Sequence, residues 1–210
     1  MPLLSQHPYK PHDFKLSGLT GISDRTIQMH FGLYQGYVKN TNALTERGEA
    51  LLREGKTGAP EYAEITRRLG FEYNGMILHE YYFSNLRPGA GGPIGGSSRL
   101  GQAIQQSFGS TDTWMTDFRA IGAMRGVGWA VTFQDPMTGL LSNQWITLHQ
   151  DGIPAGFKPI LVMDVWEHAF LLDYAPAERA KYIDAFFQNV DWATCELRLT
   201  SEKAVRPIGE

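Results

Sequence analysis

Six histidines are spread along a chain of 210 residues: His7, His12, His30, His79, His149 and His168. His7 and His12 lie among prolines, in a stretch with little periodicity. The other four sit among apolar residues, where a lone imidazole is ordinarily a hydrogen-bonded core group. Several imidazoles converging on one carboxylate are different, because nitrogen donors with one oxygen donor make a site for a first-row transition metal. The segment Asp164-Val165-Trp166-Glu167-His168 offers the carboxylate. Asp164 ends the apolar run Ile160-Leu161-Val162-Met163, where a buried aspartate is costly unless paired or bound to a cation. His168, four residues on, can turn back to the same point. The competing reading is that Asp164 caps the following helix, and these five residues alone do not decide between the two. His79 has Gly75 one helical turn before it. A glycine there costs helix stability, roughly 1 kcal/mol, and leaves room beside the histidine for another residue or a solvent molecule. His30 is followed by Tyr34 and Tyr37. One histidine from each of two helices, with Asp164 and His168, makes a three-histidine, one-carboxylate set.

These residues need elements to carry them. Residues 1–20, with Pro2, Pro8 and Pro11, read as an extended arm. Ser23-Asp24 starts a helix on which Ile27, His30, Tyr34 and Tyr37 recur at helical spacing. Asn40, Thr41 and Asn42 are expected to interrupt it, with a second helix over 43–54 ending at Gly55. Pro60 opens a long helix over 61–85 that carries His79. The glycine- and proline-rich stretch 89–96 reads as a linker; it lacks the lysine and the strand–loop–helix context of a phosphate-binding loop. Helices over 97–107 and 111–124 follow, then strands over 126–133, 143–150 and 159–164. A helix opening at Pro176 and a short one capped by Asp191 close the chain. The expected fold class is therefore α+β: an N-terminal helical hairpin domain (1–88), the linker (89–96), and a C-terminal domain (97–210) of helices around a three-stranded antiparallel sheet.

Composition narrows the classes. With 42% hydrophobic residues the chain can bury a substantial core, and its net charge of −3 argues against a nucleic-acid binder. The apolar runs are too short for a membrane span, and no secretory signal is visible. The one cysteine, Cys195, allows no intramolecular disulfide, so a reducing, cytoplasmic setting is expected.

Several separated motifs then coincide in order. They are Gln28-Met29-His30 with Gly36-Tyr37-Val38-Lys39-Asn40, His79 before Glu80-Tyr81-Tyr82-Phe83-Ser84-Asn85-Leu86, and Gly126-Val127-Gly128-Trp129. Asp164-Val165-Trp166-Glu167-His168-Ala169 and the run from Asp184 to Trp192 complete the series. Together they resemble the iron/manganese superoxide dismutase family over nearly the whole chain.

The resemblance implies an enzyme that disproportionates superoxide to O2 and hydrogen peroxide by cycling one iron or manganese ion per subunit between +3 and +2. The ion would lie between the two domains on His30, His79, Asp164 and His168. Tyr37 matches the tyrosine that gates the approach of substrate, and Trp129 and Trp166 match aromatic residues walling the metal pocket. Glu167 matches a residue that reaches the partner subunit's counterpart of His168, which implies a homodimer or a dimer of dimers. Common members place a glutamine against the metal-bound solvent. Gly75 stands at one of its two positions, so the donor is expected from the second strand, where counting from Trp129 favours His149 over Gln150. His30 and Tyr37 are separated by two regular helical turns, one residue fewer than in common members. Leu33 and Leu171 replace a cross-subunit histidine–tyrosine pair, and with Tyr34 they belong to the expected surroundings of the metal and the interface. The alternatives are a peroxidase-like enzyme on the same scaffold and a non-catalytic metal-binding descendant.

Overall fold

The computed structural model describes residues 4–199; residues 1–3 and 200–210 lie outside the described residues, so the expectations for the first arm residues and the C-terminal end are not addressed. Helix α1 spans Asp24–Arg53. Ser23 caps it, its hydroxyl accepting from the Thr26 amide at 3.1 Å. Its buried stripe, Ile27, His30, Tyr34, Val38, Thr41 and Thr45, repeats every three or four residues and faces α2 (Pro60–Ser84). Proline at the first position of α2 suits a site whose N–H has no intrahelical partner.

The expected break at Asn40, Thr41 and Asn42 is absent: α1 is one helix of 30 residues. Such side chains disrupt helices by competing for nearby backbone groups, but here the two asparagines have tertiary partners. Asn40 donates to Glu72 at 3.2 Å. Asn42 exchanges two hydrogen bonds, both 2.9 Å, with the Tyr9 backbone and so fastens the N-terminal arm to the helix.

After the linker come α3 (Arg99–Phe108) and α4 (Thr111–Gly122), each capped by a serine, Ser98 and Ser110. The sheet consists of β1 (Gly128–Gln134), β2 (Leu141–Thr147) and β3 (Lys158–Asp164), in the order β2-β1-β3 with both pairings antiparallel. The fold is thus α+β, with long helices first and helices around a three-stranded sheet after them. Trp129 on the fully buried central strand lies directly opposite Asp164, so the indole and the carboxylate share one face. The second strand was expected over 143–150. It ends instead at Thr147, because residues 148–150 form a turn in which Leu148 adopts a left-handed φ of 53°. Helices α5 (Arg179–Phe187) and α6 (Trp192–Leu197) close the described chain. Asp191 sits at the cap position of α6, and its carboxylate accepts from Arg87 at 3.0 Å and from the Thr194 hydroxyl, in the first turn of the helix, at 3.2 Å.

The glycine-rich linker is docked rather than free. The Arg87 amide donates to Asn189 O at 2.8 Å, the Gly91 amide to Gln188 O at 3.1 Å, and the Trp192 indole to Gly92 O at 2.8 Å. Asn85, at the end of α2, donates to Val162 O on β3 at 2.5 Å. These contacts tie the helix bearing His79 to the strand bearing Asp164. A Cβ on Gly91 would lie 2.0 Å from Gln188 O, whereas one on Gly92 would meet nothing within 4 Å. Gly91→Ala should therefore destabilise the protein by about 1–3 kcal/mol, and Gly92→Ala by less than about 0.5 kcal/mol. Urea denaturation of the two variants, run side by side, checks this.

Candidate metal centre

Asp164 is fully buried at the end of β3. One carboxylate oxygen, Oδ1, accepts from the Trp166 amide at 2.7 Å as the chain turns out of the sheet. The other, Oδ2, faces three imidazoles: His168 Nε2 at 3.0 Å, His30 Nε2 at 3.1 Å and His79 Nε2 at 3.6 Å. His30 and His79 come from facing turns of α1 and α2; His168 comes from a short 3-10 turn, Glu167–Ala169. The four donor atoms lie within 4.8 Å of one another.

Two observations test whether this set fits a metal ion. Donors about 2.1 Å from a shared ion stand about 3.0–3.6 Å apart when they subtend roughly 90–120° at it, which covers the three separations from Oδ2. The protonation pattern fits as well. His79 Nδ1 lies 2.5 Å from Gly75 O, so this nitrogen carries the hydrogen and Nε2 turns its lone pair to the centre, where it has no partner. Burial holds His30 and His79 below the usual histidine range, and so neutral, as metal ligands must be. Burial alone would raise the Asp164 pKa, but the His168 and His30 imidazoles more than offset it and keep the carboxylate ionised.

Aromatic side chains close the site. His30 packs against Tyr82 (ring centroids 5.1 Å apart) and Phe83 (5.0 Å); His79 meets Trp129 edge-on at 5.0 Å. Trp166 stacks on His149 at 4.9 Å and on His168 at 5.8 Å. Tyr182 donates to Asp164 O at 2.7 Å, fixing the end of β3 from beneath, and its oxygen lies 3.2 Å from Tyr82 Oη.

His149 is fully buried and joins this group from the turn after β2. Its Nδ1 accepts from the Trp129 indole at 3.1 Å, and its Nε2 lies 2.8 Å from Tyr37 Oη. The Gln150 side chain turns the other way and accepts from the His149 amide at 3.4 Å. Tyr37 fills the space that Gly75 leaves: a Cβ there would lie 2.6 Å from its ring. With α1 unbroken, His30 and Tyr37 share one face, two turns apart. Burial, and after it the charge of Asp164, pushes the Tyr37 pKa up to about 12, so the phenol keeps its proton.

The remaining predicted residues lie further out. Glu167, Leu33 and Leu171 are exposed on this single chain. Tyr34 turns away from the four donors and ties down the arm, donating to Glu80 at 2.8 Å and accepting from the His12 amide at 2.9 Å. Sequence reasoning missed four contributors: Phe71, whose ring lies 4.4 Å from that of His149, Tyr82, Phe83 and Tyr182. An aromatic on a helix face carries no signal of which cavity it walls.

This fold and this donor set define a mononuclear metalloprotein. The family model for the C-terminal domain of iron/manganese superoxide dismutases matches residues 96–198. A "Superoxide dismutase [Fe]" of Cupriavidus metallidurans is 36% identical over 197 residues, covering 91% of this chain and 95% of the relative. One of Aquifex pyrophilus, of the same name, is 34% identical over 206 residues, covering 95% and 94%. A "Superoxide dismutase [Mn] 2" of Haloferax volcanii is 34% identical over 172 residues, covering 81% and 83%. The chain belongs to the iron/manganese superoxide dismutase family.

Burial lowers the His149 pKa from 6.5 to about 4. Between these values the unfolded chain binds a proton at this residue that the folded chain refuses, so stability falls as the pH drops through the window. His149→Gln should make the fall of stability with acidification shallower by about 1.4 kcal/mol per pH unit. Denaturant titrations of both proteins at several pH values between 4 and 6.5 measure the difference; parallel slopes would contradict it.

Proposed function

We infer that the protein is a superoxide dismutase that converts two superoxide anions and two protons into O2 and hydrogen peroxide, using one iron or manganese ion per subunit. The observation that carries this reading is the convergence of three imidazole Nε2 atoms on one oxygen of a fully buried carboxylate. When bound, the ion supplies one-electron redox chemistry, alternating between the +3 and +2 states. The chain's own residues do the rest. His30, His79 and His168 offer nitrogen donors, and Asp164 offers one negative charge. Trp129, Trp166, Tyr82 and Phe83 exclude bulk water, which strengthens every charge interaction inside. Tyr37 keeps its hydroxyl proton at neutral pH, so it can donate to a small anion beside the centre. His149, 2.8 Å from Tyr37, is the proposed donor beside the centre.

The same reading divides the chain at 89–96, with two ligands from each side of the linker. It also makes the chain a homodimer. The support is a set of exposed side chains beside the centre: Leu33 is 39% exposed and Leu171 40% exposed, with Glu167 next to the ligand His168. Two leucines left open to water suit an apolar contact across subunits, with Glu167 accepting from the partner's His168 ring. A monomer by sedimentation at micromolar concentration would remove this part of the proposal. The cytoplasm is the proposed compartment, on the support of a chain with a single, buried thiol, Cys195.

Protein reconstituted with iron or with manganese should consume superoxide catalytically after a radiolytic pulse, with peroxide formed at half the superoxide lost. His149→Ala should keep its metal and lose roughly 10–100-fold in rate, the worth of one buried hydrogen-bond donor. If neither metal form outpaces spontaneous decay, or if peroxide or an organic reductant is the species turned over, the reading fails.

A further inference from the structure

Strand β3 is an edge of the sheet, so some of its carbonyls face away from β1. Those of Ile160, Val162 and Asp164 are taken by side chains. Ile160 O accepts from Arg198 at 2.8 Å, Val162 O from Asn85 at 2.5 Å and Asp164 O from Tyr182 at 2.7 Å. Arg198 reaches further than the other two. It stands at the C-terminal cap of α6, and its guanidinium also donates to Asn85 Oδ1, to Ser84 Oγ at 2.6 Å and to Tyr81 O at 3.3 Å, all in the last turn and cap of α2. The same group lies 4.7 Å from the centre of the Tyr81 ring. Among the described residues no carboxylate pairs with it. A half-buried cation that meets only neutral oxygens is explained by the elements those oxygens belong to.

Those elements carry two of the four metal donors. Tyr81 follows His79 by two residues on α2, and Ile160 precedes Asp164 by four on β3. We propose that Arg198 is a positioning residue for the metal centre: its planar fork fixes the end of α2 against the edge of β3 and so sets the spacing of His79 and Asp164, whose donor atoms stand 3.6 Å apart. The guanidinium suits this task. Its donors lie in one rigid plane, so a single group meets a strand carbonyl and a helix end together, which a compact ammonium cannot. The last turn of α2 runs short of its own donors and carries the negative end of the helix dipole, and both favour a cation there. By engaging Asn85 Oδ1, the guanidinium also leaves Asn85 Nδ2 to face Val162 O, so the second tie between helix and strand depends on the first. This inference deepens the superoxide dismutase reading and rests on its metal centre, though not on turnover.

Competition with a chelator measures the affinity for Mn(II) of wild-type, Arg198→Gln, Arg198→Lys and Ser110→Ala proteins, each checked by circular dichroism to be folded at the temperature used. Ser110→Ala removes the cap of α4 and lowers stability away from the donors, so it reports what a general loss of stability does. Arg198→Gln should bind Mn(II) roughly 10-fold more weakly than wild type. The electron paramagnetic resonance spectrum of its Mn(II), which reads the arrangement of the ligands, should change as well. Ser110→Ala should match wild type in both measurements. Arg198→Lys is the variant to read should Arg198→Gln not fold; it too should bind more weakly, because its ammonium cannot hold helix and strand at once. Wild-type affinity and spectrum in the Arg198 variants, or equal losses in Ser110→Ala, would overturn the proposal. Superoxide decay is followed on the same metal-loaded proteins. Weaker binding in the Arg198 variants, with no turnover by any of the proteins, would leave the positioning role standing and sink only the functional reading.

Discussion

Asp164 carries a negative charge with no access to water, and the organisation around it follows from that. A buried carboxylate must be matched by hydrogen bonds or opposite charge, and removing one partner of such a group costs about 3–5 kcal/mol. The fold matches it on every side. The Trp166 amide takes one oxygen, three imidazoles surround the other, and Tyr182 fixes the backbone carbonyl of the same residue. A cation among the four donors would complete the balance, because His79 Nε2, aimed at the centre, has no hydrogen-bond partner.

The layer outside the donors is ordered by the same accounting of polar atoms. Gly75 gives its carbonyl to His79 Nδ1 and its missing side chain to the Tyr37 ring, so one residue both orients a ligand and seats the phenol. Tyr37 in turn meets His149, which takes its other partner from the central strand at Trp129. Helix α1, the turn after β2 and the sheet are thereby joined through single hydrogen bonds, and α2 through the Tyr37 ring packed on Gly75. A shift in any of them is felt at the centre.

Much of this was legible in the sequence. An aspartate ending an apolar run, with a histidine four residues later, announces a buried charge with a partner, and the structure brings both together with His30 and His79. The space beside His79 was readable from Gly75, and Tyr37 occupies it. What was misread depended on long-range partners. Asn40 and Asn42 look like helix breakers until Glu72 and the Tyr9 backbone engage them. The second strand looked longer because nothing in Leu148 foretells a left-handed φ. That turn is also why His149 reaches the site from beyond the strand end, where counting along an extended strand does not apply. Tyr182 and Tyr34 are both buried, and only the tertiary setting turns the first toward Asp164 and the second toward the arm.

The most direct test of the central claim is diffraction from the purified protein at wavelengths on either side of the iron and manganese absorption edges. The account predicts a single anomalous peak per chain, enclosed by the Nε2 atoms of His30, His79 and His168 and by Asp164 Oδ2. A catalytically active protein with no peak there, or with its metal held by other residues, would contradict it.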